Sequence, residues 1–497
     1  MILINPRSTK FGIFERYIPL SVPIGIGYLA GYLIHRNKEV EILDEHIRPI
    51  SERVLAEAVK KFLPPYIFGI SSLTACINRS FEIAKVIKTI YPDSKIVLGG
   101  IHPTVLPEEV LGNKYVDFVV RREGEEVIDE LYQAIKDNID YSKIKGISFR
   151  VNHHIVHNPP ALSPSLNKMP PYPYYLFEEY KDKYNLGFIM SSRGCPYDCI
   201  FCSQRAISGR EYRYVPTDVV IGELELLINK YKQTHINFVD DNFTTDRKRI
   251  KELSEKMIER EFYKKATFDC QTRADAVDDE ILILLKQAGF RLINFGLETA
   301  SERLMVLLNK KETVKENIEG VRLAKKYGFG VSATFIFGLP SERREERLQA
   351  YRLAKELSLD YARFNNATPY PGTRLYEIAK EENRLFIEKN WTNLNACATL
   401  VEDALNESRL PYVPTTCKEI ALKKEVLKAN LLFSLRPTRV LKLLVKRIGP
   451  AGWFYLPPLW YLKPKEWFFL IRLGFKLFAL LVNLYMKSLF QAQSEPN

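Results

Sequence analysis

Apolar residues in the first 140 positions alternate between short continuous runs and stretches with helical spacing. The runs are MILINP, EVEILD, YIFGISSL, KIVLGG and DFVV, and they predict strands. The segments between them, such as PIGIGYLAGYLIHR and RSFEIAKVIKTIY, place apolar residues every three or four positions, which is typical of amphipathic helices. Strand and helix in alternation predict a parallel sheet covered on both faces, which binds ligands beyond the carboxyl ends of its strands.

Residues 141–182 interrupt this alternation. Six prolines fall between positions 159 and 173, and they predict a domain linker because proline opposes both helix and central strand. A second alternating series spans 183–400, with strands predicted at LGFIMSS, HINFVDD, ATFDCQ, LINFGLE, VSATFIFG and YARFNNATP. Six strand–helix units predict an open or partial barrel, with its active site at the carboxyl ends of the strands.

Residues 401–497 lose the alternation and read as a basic, apolar helical region, with one helix predicted over 418–448 and interrupted near Pro437. The part from 421 onward holds 13 Lys or Arg and three Glu, which accounts for +10 of the net charge of +12. It also holds three of the four tryptophans, Trp453, Trp460 and Trp467. Basic charge beside apolar and aromatic residues favours an anionic membrane surface as the partner and argues against nucleic acid.

Residues 468–486 are apolar except for three polar side chains, Arg472, Lys476 and Asn483. Two charges inside the run make a membrane span costly, so we expect a helix that lies in the membrane interface. The alternative is a helix that packs on the open side of the barrel.

Composition sets the remaining bounds. A chain of 497 residues exceeds one domain, and 46% hydrophobic with 27% charged residues is typical of globular protein. This balance excludes disordered, collagenous and coiled-coil chains. The first residues show no apolar run behind a basic front, so we expect no signal peptide and a cytoplasmic location, with peripheral contact to the inner face of the membrane.

The strongest chemical signal is SSRGCPYDCIFCSQ, which follows the first strand of the second series. Cys195, Cys199 and Cys202 have the spacing C-x3-C-x2-C, and so tight a loop can aim three sulfurs at one point. Soft thiolates suit an iron–sulfur cluster or zinc. A cubane normally takes four thiolates, so three would leave one iron open to another ligand. A three-thiolate zinc site, or three unrelated core cysteines, is the alternative.

This segment resembles the radical S-adenosylmethionine (radical SAM) signature, including the aromatic Phe201 before the third cysteine. The resemblance covers roughly residues 185–385, and the domain in front is similar to a cobalamin-binding domain. It implies an α/β fold: a Rossmann-like cobalamin domain over 1–140, the linker, a partial (β/α)6 TIM-type barrel and the helical region. The implied cofactors are a 4Fe-4S cluster, S-adenosyl-L-methionine (SAM) chelated by the open iron, and cobalamin.

The resemblance also implies a SAM site at the barrel strand ends. Its members would be Phe201 and three polar residues in CQTRAD and GLET, namely Gln271, Arg273 and Glu298. The alternative is an ordinary interior ion pair between Arg273 and Glu298. The pair Asp240–Asp241 ends the second barrel strand, where it could line the substrate cavity or cap the next helix.

Small residues and carboxylates at the ends of the first-domain strands form the predicted cobalamin site. A hydroxyl and bare backbone would let a flat corrin and its nucleotide tail approach. The residues are Ser71, Leu73, Gly99, Gly100, Glu123, Gly124 and Glu125. No D-x-H-x-x-G motif follows the first strand, and His46 in DEHIRP has proline where that motif needs glycine. We therefore expect no protein histidine on cobalt. The alternative is a flavodoxin-like domain whose glycines only make turns.

The function implied by the resemblance is methylation of an unactivated carbon on a hydrophobic substrate such as a lipid, isoprenoid or tetrapyrrole. A 5′-deoxyadenosyl radical from SAM would abstract hydrogen, and methylcobalamin would supply the methyl group. An electron donor such as flavodoxin or ferredoxin would be a partner. The alternatives are an oxidoreductase, namely a radical cyclase without methyl transfer, and a membrane-tethered corrinoid sensor, which would not need the three cysteines.

Overall fold

The computed structural model describes residues 1–7, 20–388, 391–394 and 409–437, together with six single positions between 468 and 482. The described residues up to 157 contain eight strands: β1 (Ile2–Asn5), β2 (Leu20–Ser21), β3 (Glu41–Asp44), β4 (Ile67–Ser71), β5 (Lys95–Gly99), β6 (Phe118–Val120), β7 (Ile147–Val151) and β8 (His154–His157). Seven of them form one sheet in the order β3-β1-β4-β5-β6-β7-β8. The first five strands in this order, β3, β1, β4, β5 and β6, run parallel to one another. The predicted parallel sheet is confirmed.

Helices cover both faces of this sheet, as the alternation predicts. They are α1 (Ile24–His35), α2 (Glu52–Val59), α3 (Ile77–Ile90), α4 (Ile101–Val105), α5 (Pro107–Gly112) and α6 (Glu125–Asp137). Apolar residues of α1 and α6 fill the core on one face, and those of α2, α3 and α5 fill the core on the other.

The sheet extends beyond residue 140, where the linker was predicted to begin. Strands β7 and β8 form an antiparallel hairpin that pairs with β6. The proline-rich stretch starts only after this hairpin. The two domains also share a short parallel pair, because β2 pairs with β9 (Tyr184–Asn185).

The second domain is a six-stranded parallel sheet, as predicted. Its strands are β10 (Phe188–Ile189), β13 (His235–Phe238), β14 (Thr267–Thr272), β15 (Phe290–Glu298), β16 (Gly330–Phe337) and β17 (Tyr361–Asn366), in that order. A small antiparallel pair, β11 (Ser192–Arg193) and β12 (Arg213–Tyr214), flanks the loop with the three cysteines. Residues 188–366 therefore form a partial barrel of six strands.

Helices alternate with these strands. They are α7 (Arg205–Ser208), α8 (Thr217–Glu225), α9 (Arg247–Glu259), α10 (Asp279–Ala288), α11 (Glu302–Leu307), α12 (Val314–Lys326), α13 (Arg344–Glu356) and α14 (Arg374–Glu381). Side chains of Asp246, Asp278, Ser301 and Thr313 each accept a backbone N–H in the first turn of the helix that follows, so local sequence sets these boundaries.

A fifteenth helix, α15 (Glu419–Ser434), covers the far edge of the second sheet. Its Leu422, Val426 and Phe433 are buried in the barrel core. Its Asn430 amide bonds to the backbone N–H and C=O of Phe364 in β17, at 3.1 and 2.7 Å. The predicted helix over 418–448 is thus present to Ser434, and its remainder and the three tail tryptophans lie outside the described residues.

The six described positions of the tail are all helical and exposed. Four of them carry large apolar side chains: Phe468, Ile471, Phe475 and Val482. Across the described ranges, no helix has the length and apolarity that a membrane crossing requires.

Candidate functional site

The cysteine loop lies between β11 and α7, and Ile200 attaches it to the barrel by two backbone hydrogen bonds. The N–H of Ile200 donates to the carbonyl of Leu308 at 3.1 Å, and its carbonyl accepts from the N–H of Leu375 at 2.8 Å. The Cys202 N–H donates to the Cys199 carbonyl at 3.1 Å, which closes the turn between two of the thiols. Burial and the neighbouring Cys202 thiol raise the pKa of Cys199 to about 12, so an electropositive metal would be needed to hold it as thiolate.

The donor set fits a cubane better than zinc. The nearest histidine in sequence, His235, hydrogen-bonds to Thr267 on β14 at 3.0 Å, lies 3.0 Å from the Asp269 carboxylate, and is not a fourth ligand. Among the described residues, no three His, Cys, Asp or Glu side chains stand close enough to share one ion. A cubane offers a different iron to each thiolate and so suits three cysteines spread along one loop.

Arg273 braces this loop. Its guanidinium lies 3.6 Å from the ring centre of Tyr197, which is itself in the loop. It also donates to the Asp275 carboxylate and to the Lys310 carbonyl, both at 2.6 Å. The alternative of an ion pair between Arg273 and Glu298 is therefore not what the structure shows, since Asp275 is the partner.

Glu298 sits at the end of β15 in strained backbone. Its φ is 61°, in the left-handed region, at an irregularity in the pairing with β16. The side chain is buried, and its nearest cation is the Lys310 ammonium at 4.0 Å. Burial raises the pKa of Glu298 to about 7. Such a group, held without a close counter-ion, can receive a cationic or hydroxyl-bearing ligand.

Lys310 and Glu312 were missed from the sequence. They form a buried ion pair at 2.7 Å in the loop after α11, beside Glu298. Two consecutive lysines followed by an acidic residue were the only local signal.

The other predicted SAM residues lie nearby on the strand ends: Gln271 is exposed and accepts from Asn294 at 3.2 Å. Phe201 is half-buried beside the cysteines. Contact of these residues with SAM stays a prediction.

Asp240 and Asp241 have separate roles. Asp240 is buried and accepts from the Ser191 N–H, the Ser191 hydroxyl and the Ser192 hydroxyl, each at 2.7 Å. Asp241 accepts from the Gly194 N–H at 3.0 Å, and its partial burial raises its pKa to about 6. Neither caps the next helix, because Asp246 does. Asp240 fixes the strand that leads into the cysteine loop, and Asp241 adjoins the loop itself.

Four predicted cobalamin residues line one cavity in the first domain: Ser71, Gly99, Gly100 and Gly124. The cavity encloses about 460 Å³ of empty space, its mouth included, and its walls are mainly apolar side chains of β1, α1 and α6. Gly100 has φ 99°, and a Cβ there would lie 2.7 Å from the Ser72 carbonyl oxygen. The close approach of Ser72 therefore requires glycine at position 100, and the apolar walls of the cavity fit a bulky apolar group.

The other three predicted residues, Leu73, Glu123 and Glu125, are not among those that line the cavity. Leu73 is 58% exposed, unusual for leucine, and it stays a predicted contact for the corrin. Glu123 and Glu125 flank Gly124, but their carboxylates bond to arginines of the barrel domain. Contact between these two glutamates and cobalamin remains a prediction.

Two histidines of the first domain, His46 and His102, bear on the prediction that no protein histidine binds cobalt. His46 Nδ1 bonds to Asp44 at 2.9 Å, and His46 is not among the residues that line the cavity. His102 is fully buried against the Trp391 ring, with Glu109 3.6 Å from its Nε2.

Arg193 joins the two sites, and sequence reasoning missed it. It is buried, and it contacts Glu125 at 2.7 Å and Glu123 at 3.1 Å. Its guanidinium lies 5.0 Å from the ring centre of Tyr28 in α1. These carboxylates raise the pKa of Arg193 further, although burial opposes them. Since Arg193 precedes Cys195 by two positions, the cysteine loop and the cavity rim are held as one unit.

Comparison with known proteins agrees with this geometry. Residues 189–354 match the model of the radical SAM superfamily, and residues 19–132 match that of the B12 binding domain. The chain is 32% identical to an uncharacterized methyltransferase of Pyrococcus horikoshii, covering 84% of this chain and 89% of the relative. It is 30% identical to the anaerobic magnesium-protoporphyrin IX monomethyl ester cyclase of Cereibacter sphaeroides, covering 73% of this chain and 61% of the relative.

A solved structure shares the fold. The radical SAM methyltransferase TsrM of Kitasatospora setae superposes with a TM-score of 0.65 at 21% identity, covering 76% of this chain and 74% of that one. With both domains matched and a relative this similar along most of its length, the chain belongs to the cobalamin-dependent radical SAM family, enzymes whose cofactors are a 4Fe-4S cluster, SAM and cobalamin.

Proposed function

We propose that this enzyme methylates an unactivated carbon of a hydrophobic small molecule, of the lipid, isoprenoid or tetrapyrrole class. The carrying observation is the ion-pair network of Arg193 with Glu123 and Glu125. It fixes the rim of the cobalamin cavity against the cysteine loop. Methyl transfer to a carbon radical needs both cofactors close to one substrate, and a rigid link between their sites supplies that geometry.

The residues have distinct parts in this proposal. Cys195, Cys199 and Cys202 would hold the cluster, which with SAM supplies radical chemistry. Glu298, with its raised pKa and no close counter-ion, would orient SAM by accepting from its polar groups. Arg273 keeps the cysteine loop in place through Tyr197. The bare backbone of Gly99 and Gly100 leaves room for the corrin.

Methyl-deuterated SAM tests the proposal. The reconstituted enzyme is incubated anaerobically with cobalamin, a reductant and host lipid or pigment extracts. We expect a product in which a CD3 group replaces one hydrogen, seen by mass spectrometry and absent with Cys199→Ala. A product formed without any deuterium gain would contradict methyl transfer and support cyclisation.

Radical cyclisation is the second candidate. The 30% identity to a magnesium-protoporphyrin monomethyl ester cyclase favours it, since that relative is named for ring closure and not for methyl transfer. Both reactions would use the same cofactor residues, so only the product distinguishes them. A corrinoid sensor is disfavoured because it has no use for the three cysteines.

Two partners belong to the proposal. Cys202 is exposed, which leaves the cluster edge open to a one-electron donor such as flavodoxin or ferredoxin. The tail would lie on an anionic membrane surface. In support, the apolar side chains of Phe468, Ile471, Phe475 and Val482 are exposed and follow one another at helical spacing, so they share one face. A lipid-soluble substrate would be reached from that surface.

A further inference from the structure

A second large cleft lies between the two domains, beside both cofactor sites. It contains about 1020 Å³ of empty space, its mouth included. The first domain contributes Thr104 and Val105 of α4, and the barrel contributes Ala206 of α7. Thr104 follows the cavity glycine Gly100 by four positions. Arg122 lines both this cleft and the cobalamin cavity, and Arg205 follows the cysteine loop, so the cleft adjoins both predicted cofactor sites.

Four arginines line this cleft: Arg121, Arg122, Arg205 and Arg210. None of the described lining residues is acidic. We call this feature the arginine cleft. Four like charges around one space repel one another, and an anion that enters relieves the repulsion.

The two arginines of the first domain are held by backbone and not by carboxylates. Arg121 donates through Nη2 to the carbonyls of Ile147 and Asn158, and burial lowers its pKa. Arg122 has φ 68°, and its Nε donates to the carbonyl of Ile207 at 3.4 Å. Neither guanidinium hydrogen-bonds to a carboxylate among the described residues, and Glu108 is the acidic group whose charge acts on Arg121.

The two arginines of the barrel share one carboxylate. Arg205 and Arg210 both bond to Asp198, which lies within the cysteine loop. Their side chains are 49% and 53% exposed, so their remaining donors can reach a ligand. Asp198 and Glu108 are thus two carboxylates against four guanidinium groups, which leaves the cleft with a net positive charge.

We infer that the arginine cleft binds an anionic group, a carboxylate or a phosphate, carried by the methyl acceptor. This inference rests on the proposed function and narrows its substrate class to amphiphiles with an apolar body and an acidic group. Guanidinium groups suit both anions because their planar forks match carboxylate and phosphate oxygens. Arg122 also lines the cobalamin cavity, so the same chemistry could come from the nucleotide phosphate of the cofactor.

Pyrophosphate binding tests the cleft in the full chain loaded with cluster and cobalamin. The variants are Arg210→Gln and Arg205→Gln, each of which leaves the other arginine on Asp198. The control is Arg322→Gln, which removes the same charge from the exposed face of α12. By calorimetry we expect wild type and control to bind alike, and each cleft variant to bind about tenfold more weakly. Absence of binding in wild type, or equal binding by the cleft variants, would overturn the inference.

Cobinamide, which lacks the nucleotide phosphate, separates the two sources. We expect the cleft variants to retain cobalamin and cobinamide as wild type does. Weaker retention of cobalamin alone would assign the cleft to the cofactor and overturn the acceptor assignment. Iron content and SAM cleavage without substrate are measured in parallel. Intact pyrophosphate binding in an enzyme that never transfers a methyl group would count against the proposed function and not against the cleft.

Discussion

Loss of any one cysteine of the loop leaves an iron without its thiolate. We expect Cys195→Ala, Cys199→Ala and Cys202→Ala each to abolish the brown cluster absorbance and SAM cleavage. Cys417→Ala is the matched control, since Cys417 is half-buried outside the loop and should keep both. Iron analysis and deoxyadenosine formation are the measurements. Full iron and activity in any of the three variants would contradict the cluster assignment.

His46 is the histidine that most resembles a cobalt ligand in sequence, and Asp44 already engages its Nδ1. We expect His46→Ala to leave the cobalt(II) paramagnetic resonance spectrum of the bound cofactor unchanged. The enzyme is examined as isolated and after cobalamin loading. A clear change in the hyperfine pattern would show that His46 binds cobalt after all.

Glu223 in α8 couples stability to pH. Its carboxyl is buried and accepts the Tyr172 N–H at 2.8 Å, and burial raises its pKa from 4.5 to about 7. Between these values the folded state keeps a proton that the unfolded chain loses. The free energy of unfolding should therefore fall as pH rises from about 4.5 to about 7, by a few kcal/mol. Urea unfolding of Glu223→Gln should lack this part of the slope, whereas the exposed Glu319→Gln should retain it.

The residues predicted from sequence are those whose chemistry is local. Three cysteines within eight positions predict a metal site from residue type and spacing alone. Arg193 was missed because its importance comes from a partner far along the chain, Glu125. A sequence shows that a charge is present but not which distant carboxylate will share its buried site.

At the scale of elements, the strand–helix alternation predicted both sheets because each half follows a regular period. The β7–β8 hairpin was not predicted from the sequence. Its two turn residues, Asn152 and His153, both have positive φ. Such a turn normally has glycine second, and histidine there removes the usual sequence signal. Because dense prolines follow the hairpin, the predicted linker was started at residue 141, before the hairpin strands.

The tail is the element with a membrane prediction. Each Lys or Arg near an anionic leaflet contributes about 1 kcal/mol, so five acting together give about 5 kcal/mol. Truncation after Gly449 should release the protein from anionic vesicles in co-sedimentation and leave SAM cleavage intact, because α15 ends earlier, at Ser434. Binding of the full chain should weaken with salt, since screening acts beyond about 10 Å at roughly 0.1 M.

Either of two results would contradict this picture of the tail. If the full-length protein does not co-sediment with anionic vesicles, the tail does not bind membranes. A truncated protein that loses its cluster shows that the tail packs on the barrel. Neutral vesicles are the control for apolar insertion without charge.

On the scale of the whole molecule, Arg193 couples the domains. Arg193→Met would leave Glu125 buried without its partner, a change that costs about 3 kcal/mol. We expect lower stability and lower retention of cobalamin, with iron lost less. Adding Glu125→Gln to this variant removes the orphaned charge and should restore part of both. Unchanged cobalamin retention in Arg193→Met would show that the domains are held by other contacts.

The pairing of Asn430 with Phe364 bears on self-association. β17 is the last strand of its sheet, and an amide side chain from α15 takes the hydrogen bonds that a further strand would make. Exposed sheet edges recruit strands from other chains and so promote aggregation. A fragment that stops before Glu419 would keep every proposed cofactor residue and still expose this edge. Such a fragment should form oligomers through β17. The shortest version of the enzyme that avoids this self-association therefore has to include α15.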